Sequence, residues 1–261
     1  MADKSGIADV GAVVYFIFGG FVNHWKNHME GNAHYLERSQ QLSIEAGNLH
    51  QAGAASSFIL MSSLIKGNNI VDIIAEIDRQ LDLVNQIKSK LTQDFLTQVK
   101  QWLACLNNFD LQPDLDNVHI PEDEASKIPY YPILLQMAYL FDKPAPVLHI
   151  IGQMEDMVTR TFVTLNVPEY YFYHSLWLAR FYPNAHRRQK KQYRKWLYRN
   201  LQKMKRWAHH CPDNYWHKYA LMRAECARIQ GEEKMAASYY EQAIRSAEES
   251  GFQQNAAIAN E

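Results

Sequence analysis

The chain of 261 residues is long enough to bury one large core or two smaller ones. Apolar residues make up 47% and charged residues 21%, which excludes intrinsic disorder, and only 11 glycines and 9 prolines favour long helices over a turn-rich β fold. The formal net charge of −1 excludes a chain that is basic or acidic throughout.

The N-terminal segment carries no sign of export. It lacks the basic-then-apolar order of a secretory signal, and its longest uncharged apolar run, Val10 to Val22, is shorter than the roughly 18 residues of a membrane span. The three cysteines form no CxxC pair, which favours a reducing compartment. We therefore expect a soluble, cytoplasmic protein without a membrane span.

Apolar residues recur at helical spacing along nearly the whole chain, and strand-like alternation is sustained nowhere. The pattern predicts twelve helices, near 8–26, 30–46, 49–66, 70–88, 91–107, 130–141, 145–164, 168–182, 187–210, 213–230, 232–249 and 252–261. Short joints rich in Gly, Asn and Pro separate them, with breaks expected at Pro168 and Pro212 among others. Short joints between long helices predict a stack of antiparallel helical hairpins.

One long irregular and acidic segment interrupts this pattern between residues 109 and 128. It is either a flexible boundary between two helical halves or an acidic loop that lies over the surface. We therefore divide the chain into an N-terminal helical half over 1–108, this loop over 109–128, and a C-terminal helical half over 129–261. The two halves are expected to form one continuous repeat domain.

Two stretches of the sequence resemble each other at a distance of 204 residues. Near the C-terminus, Ala236, Tyr240 and Ala243 match the small–aromatic–small signature of the second helix of a tetratricopeptide repeat, although the first helix lacks the usual Trp of that motif. Ala224, Ala227 and Gly231 precede them, the alanines allowing close helix packing and the glycine making the turn. Upstream, Ser39 corresponds to Ala243, Gly47 to Gly251 and Ala52 to Ala256. The expected fold is therefore an all-α, tetratricopeptide-like superhelix of antiparallel hairpins, with Tyr240 packing into the next hairpin.

A family resemblance rests mainly on the segment from Lys205 to Tyr219 (KRWAHHCPDNYWHKY), in which Trp207 is a packing residue. Three shorter segments add to it: YYFYHSL from Tyr170, YLER from Tyr35 and EAGN from Glu45. These residues resemble the helical-repeat region of large bacterial signalling proteins that join a serine/threonine kinase, a P-loop ATPase and a sensor histidine kinase. The resemblance implies a repeat domain that senses a ligand or relays a conformational change. His174 departs from the pattern, which has an acid there.

The sequence contains none of the catalytic motifs of such proteins. It has no Gly-rich loop ending in Lys-Ser/Thr, no His-Arg-Asp and no Asp-Phe-Gly, and Gly19-Gly20 is interpreted as close helix packing. His24 and His28 lack the Glu of a zinc-binding helix and are expected to be surface or interface histidines. The cluster of His209, Cys211 and His217 is expected to be a packed corner rather than a metal site. We predict no catalytic residue, metal or cofactor, and thus no enzyme.

The most basic segment runs from Arg187 to Arg206, with ten Lys and Arg residues and no acid, so the remainder of the chain carries about −11. Tyr193, Leu197, Leu201 and Met204 form one apolar stripe that is expected to face the core. The candidate partner-binding residues Arg188, Lys191, Lys195 and Arg199 are expected to point mostly outward. Such a face can be solvated, pair with acids of the same chain, bind another protein, or bind nucleic acid or anionic lipid.

Three hypotheses for function follow. The first is a non-catalytic regulatory module that recognises a protein, either kinase and ATPase domains of its own polypeptide or another signalling protein, or a small-molecule inducer. The second is a structural scaffold or adaptor with a constitutive interface. The third is a nucleic-acid-binding repeat protein that uses the basic helix, for which binding would depend strongly on salt.

Overall fold

The computed structural model describes residues 2–108, 110–115, 117–118, 120–122, 127, 129–143, 151–152, 154 and 164–261. These residues form α-helices and no β-strand, which confirms the all-α class. They divide into two compact units, and each is described by itself. The N-terminal unit holds residues up to 114 with 120–122, 127, 129–130 and 164–165, and the C-terminal unit holds 115, 117–118, 131–143, 151–152, 154 and 166–261.

The helices lie close to their predicted positions. Their bounds are α1 Ala2–Ile17, α2 Asn32–Ala46, α3 Leu49–Lys66, α4 Ile70–Gln86, α5 Lys90–Asn107, α6 Tyr130–Leu140, α7 Asn166–Phe181, α8 Arg187–His210, α9 Pro212–Gln230, α10 Glu233–Glu249 and α11 Gln253–Asn260. Most of the helix expected over 145–164 falls outside the described residues, as do Asp116, Asp123 and Glu124 of the acidic loop. Consecutive helices within each unit pack against each other in pairs.

Glycines in the left-handed backbone region end several helices. Gly47, Gly67 and Gly231 have φ of 75°, 72° and 77°, and their N–H groups bond to carbonyls of the last helical turn. Only glycine adopts this conformation without a steric cost, so these positions stop each helix and reverse the chain. The joints predicted at Gly47, Gly67, Gly231 and Gly251 are therefore confirmed.

Several positions matched across 204 residues share backbone conformation or burial, although Leu36 is buried and its counterpart Tyr240 is half-buried. Gly47 and Gly251 both have positive φ. Ser39 and Ala243 are both buried, and so are Ala52 and Ala256. The correspondence read from the sequence thus holds for backbone conformation and burial at these positions.

The first helix differs from the single regular helix expected over 8–26. After Ile17 the backbone continues as a π-turn over Phe18–Val22 and a 3₁₀ turn over Asn23–Trp25. Gly19 and Gly20 lie in the π-turn, where a Cβ on Gly20 would stand 2.8 Å from the Phe58 ring. The glycines let α1 approach its neighbours, which confirms close packing as their role.

Counted with these turns, the segment from Ile7 to Trp25 is a helix of 19 residues with a mean hydropathy of 1.4. It is long and apolar enough to cross a membrane by length and composition, whereas the sequence analysis counted only the shorter run from Val10 to Val22. Twenty-eight per cent of the segment is buried inside the protein. Length and composition alone are weak evidence for a membrane span, because a core helix of a soluble protein has the same features.

In the C-terminal unit, α7 is the central helix. Every residue from Asn166 to Ala179 is buried, including the aromatic run from Tyr170 to Tyr173, so these rings belong to the core. A helix buried on all sides must be covered by neighbours, and α8 and α9 both pack on α7. The helix start expected at Pro168 is confirmed to within two residues, because α7 begins at Asn166 and Pro168 lies in its first turn, where its missing N–H would have no partner.

A buried ion pair joins α7 to α9. Nζ of Lys218 donates to Oε1 of Glu169, and the two side chains are 0% and 4% exposed. The ammonium also lies 5.3 Å from the Phe172 ring centre and 5.7 Å from that of Phe252. Burial raises the pKa of Glu169 and lowers that of Lys218, since removing each charge from water outweighs their mutual attraction.

We predict that Lys218→Met lowers the free energy of unfolding by about 3 to 5 kcal/mol, because it leaves the Glu169 carboxylate buried without its counter-charge. Urea unfolding followed by far-UV circular dichroism measures the change. The double variant Glu169→Met/Lys218→Met is expected to recover most of the loss, because no buried charge then remains. Lys234→Met, which changes an exposed lysine of α10, is the matched control. A loss at Lys218 no larger than that of the control would contradict the role of the pair.

Candidate functional site

The candidate site is the exposed side of α8, whose two ends are fixed by local chemistry. At the start, Oε1 of Gln189 accepts the backbone N–H of His186 at 3.3 Å in a capping box. At the end, Cys211 leaves the helical conformation, as expected of a residue before proline, and Pro212 occupies the first position of α9. The 24 residues between these caps form a rod of about 36 Å.

The apolar stripe of α8 faces the core as predicted. Tyr193, Leu197, Leu201 and Met204 are all buried. Asn200 lies on the same side, which the sequence analysis did not foresee. Its Nδ2 group donates to Oγ of Ser175 and to Nδ1 of His174, each at 3.2 Å. The helix is therefore held by apolar contacts and by the Asn200 hydrogen bonds to α7.

The opposite side of α8 is cationic. Arg188, Lys191 and Lys195 are exposed, as expected. We call the cationic face the seven exposed basic residues of α8, namely Arg187, Arg188, Lys191, Arg194, Lys195, Lys205 and Arg206. The prediction that Arg199 points outward needs correction, because Arg199 lies at the edge of this face and is half-buried. Burial lowers the pKa of its guanidinium.

Aromatic rings accompany these charges. Tyr198 is 67% exposed in the middle of the helix. Arg194 lies 5.5 Å from the Tyr182 ring centre, and Lys203 lies 4.5 Å from that of Tyr171 while donating to its hydroxyl at 2.6 Å. These contacts hold basic side chains in place without neutralising them.

The charge of the face is left largely uncompensated. The segment α8 contains no acidic residue, and within the part of the chain that the structure describes no carboxylate lies within ion-pair distance of the seven cations. Burial and then the neighbouring cations Arg199 and Arg206 lower the pKa of Lys203. The charges of Lys203, Arg199 and Arg206 are therefore close enough to repel one another, and an anionic partner would relieve that repulsion.

A second surface feature lies between α9 and α10. A cavity of about 290 Å³ is open to solvent and has both acidic and basic residues on its walls. It is lined by Pro212, Asp213, Trp216, Gln242, Arg245, Ser246, Glu249 and Ser250. The mixed charges give it no preference for one class of ligand, in contrast to the cationic face.

Most of the residues predicted to pack helices against each other are buried. Ala224, Ala227, Ala236 and Ala243 are buried, and Gly231 makes the turn between α9 and α10. Trp207 is half-buried, with its ring 5.6 Å from that of Tyr171. Tyr240, expected to pack into the next hairpin, instead donates its hydroxyl to Glu225 on the preceding helix.

The histidines are distributed differently from the expectation. His24 is fully buried with its ring 4.4 Å from Trp25, so its assignment to the surface is wrong, and burial lowers its pKa to about 3. His28 accepts the backbone N–H of Glu30 at 3.3 Å. His209 is exposed, and His217 is buried with its ring 4.4 Å from Phe252. Across the described part of the chain, no group of three His, Cys, Asp or Glu residues is placed to hold a metal ion.

His174, which stands where the resembled family has an acid, lies in the core. His174 is fully buried, and its Nδ1 faces the Asn200 amide donor, so the neutral ring carries its proton on Nε2. Burial lowers the pKa of His174 to about 3. Glu169 and Lys218 were also missed by the sequence analysis, since nothing in their sequence spacing distinguishes them from surface charges.

We predict that His174 makes the protein less stable in mild acid. The unfolded imidazole binds a proton near pH 6.5 and the folded one only near pH 3, so stability is complete above pH 6.5 and falls as pH drops through this window. Between pH 7 and pH 5, His174→Gln should lose about 2 kcal/mol less of its unfolding free energy than the wild type does. Urea unfolding at both pH values measures this. The exposed His209→Gln control should keep the wild-type slope, and an equal slope for His174→Gln would contradict the assignment.

In comparisons with known proteins, the chain matches no protein-family model, no curated protein and no solved structure.

Proposed function

We propose that this chain is a non-catalytic binding module, and that the cationic face of α8 recognises an acidic segment of a protein partner. The observation that carries the proposal is the row of seven exposed cations on one helix of an otherwise acidic chain. Cations of one sign clustered on a rigid element destabilise the free protein slightly and are relieved by an anionic partner.

The distribution of charge favours a protein over a nucleic acid. Outside the segment 187–206 the chain carries about −11, and the total is −1, so the molecule as a whole does not attract a long polyanion. Nucleic-acid platforms also use several successive exposed aromatic rings, whereas Tyr198 is the one strongly exposed ring of α8. A short acidic segment needs only the local face.

The family resemblance supports the same reading at a coarser level. It implies a helical-repeat region within a bacterial signalling protein, where the partner is a kinase or ATPase domain or another signalling protein. In that setting the module would act by holding a partner in one of two states, which requires a difference in affinity between the states. The residues that would make the contact are Arg188, Lys191 and Lys195, with Arg199 at the edge.

We predict that a fluorescein-labelled peptide of repeated Glu-Glu-Leu triplets binds the whole chain, with a Kd that rises steeply with salt because the contact is electrostatic. The triple variant Arg188→Glu/Lys191→Glu/Lys195→Glu should weaken binding by about 100-fold. Fluorescence anisotropy at low and at physiological ionic strength measures both effects.

The matched control is Lys26→Glu/Arg38→Glu/Lys234→Glu, which changes three exposed cations elsewhere and shifts the net charge equally. It should bind the peptide like the wild type. Equal weakening by both triple variants would reduce the effect to net charge and overturn the proposal. If a single-stranded oligonucleotide with the same number of charges binds more tightly than the peptide, and the α8 variant loses that binding, the partner is a nucleic acid and the proposal is overturned.

A further inference from the structure

The first helix carries an apolar stripe that the N-terminal unit leaves uncovered. Ile7, Val10, Val14 and Ile17 are between 48% and 68% exposed. Val13, beside them, is 38% exposed. A contiguous row of large apolar side chains on the surface marks an interaction site, whereas isolated ones do not.

The spacing of this stripe is that of a helix-pairing seam. The four residues follow one another at intervals of three, four and three, which is the a/d repeat of a coiled coil. All four are β-branched, and such side chains are stiff at χ1, so they lose little rotamer freedom when a partner packs on them. The partner that fits such a seam is another helix with the same repeat.

The other side of α1 is fixed within its own unit. Ala12 is fully buried, and its carbonyl accepts the Ser39 hydroxyl at 2.7 Å. The Asp9 carboxylate accepts Nδ2 of Asn48 at 2.8 Å. A Cβ on Gly11 would stand 3.2 Å from Leu42. The helix therefore presents its stripe from a defined position and does not need to rearrange to be paired.

We propose that this stripe is the interface of a homodimer, in which α1 of one chain pairs with α1 of a second copy around a twofold axis. Asp9 is the one charged residue between Ile7 and Val22, and its carboxylate is directed at Asn48 of the same unit. The stripe exposes on the order of 500 Å² of apolar surface per copy, and two copies reach the lower limit of a specific interface.

A lipid bilayer fits the same stripe less well. To span a membrane, the segment from Ile7 to Trp25 would have to leave its neighbours, which breaks the hydrogen bonds from Ser39 and Asn48 and removes Gly19 and Gly20 from their packing. A second copy covers the stripe while all of these contacts stay in place.

The test is the molar mass of the whole chain in solution, measured by sedimentation equilibrium from about 1 to about 100 µM. The wild type is expected to approach twice the 30.4 kDa of one chain. Val10→Glu/Val14→Glu places four carboxylates at the seam and should give a monomer whose circular dichroism is unchanged. Val71→Glu/Leu91→Glu alters two equally exposed apolar residues outside α1 and should leave the dimer intact.

A cross-linking variant gives an independent readout. Val14→Cys adds the one exposed thiol of the chain, because Cys105, Cys211 and Cys226 are buried. Mild oxidation should join two chains in the wild-type background and not in the presence of Val10→Glu.

A monomeric wild type over the whole concentration range overturns the proposal. The proposal is also overturned if the wild type is monomeric and floats with phosphatidylcholine vesicles, while the Val10→Glu/Val14→Glu variant does not float. That result would assign the stripe to lipid. Neither result bears on peptide binding by α8.

Discussion

The buried Glu169–Lys218 pair is the geometrically most demanding contact between α7 and α9. A charged lysine in a core has no access to water, so its partner has to stand at one defined place on the facing helix. Apolar contacts tolerate small shifts of one helix along another, whereas this pair does not. It therefore fixes the register of α7 against α9, and α8, which packs on both helices, inherits its position from theirs.

The packing of α8 also determines on which side of the helix its basic residues lie. The inner side of α8 is taken up by Tyr193, Leu197, Leu201 and Met204 and by the Asn200 contact, so its basic residues have only the outer side left. Lys203 and Arg199 at the edge are partly drawn into aromatic and apolar surroundings, which lowers their pKa. The cationic face is thus a consequence of the same amphipathic pattern that builds the core.

Much of this follows from local sequence patterns, and the remainder does not. Helix positions, the glycine joints and the outward direction of Arg188, Lys191 and Lys195 depend on residues within one or two turns of each other, so periodicity predicts them. The Glu169–Lys218 pair joins residues 49 positions apart, and a buried lysine leaves the same local pattern as an exposed one. The burial of His24, the half-burial of Arg199 and the π-turn at Gly19 likewise depend on contacts with other helices.

The two exposed faces on the two units arise from one geometric fact: a helix has more surface than a single packing partner covers. On α8 the uncovered side is charged, and on α1 it is apolar, so solvent acts on them in opposite directions. Salt would screen the proposed attraction between the cationic face and an acidic segment, while the proposed apolar pairing of α1 would be unaffected or strengthened by it. Because the physical origins differ, raising the ionic strength should release a partner proposed for α8 while α1 stays paired, so the two proposals can be tested separately on one chain.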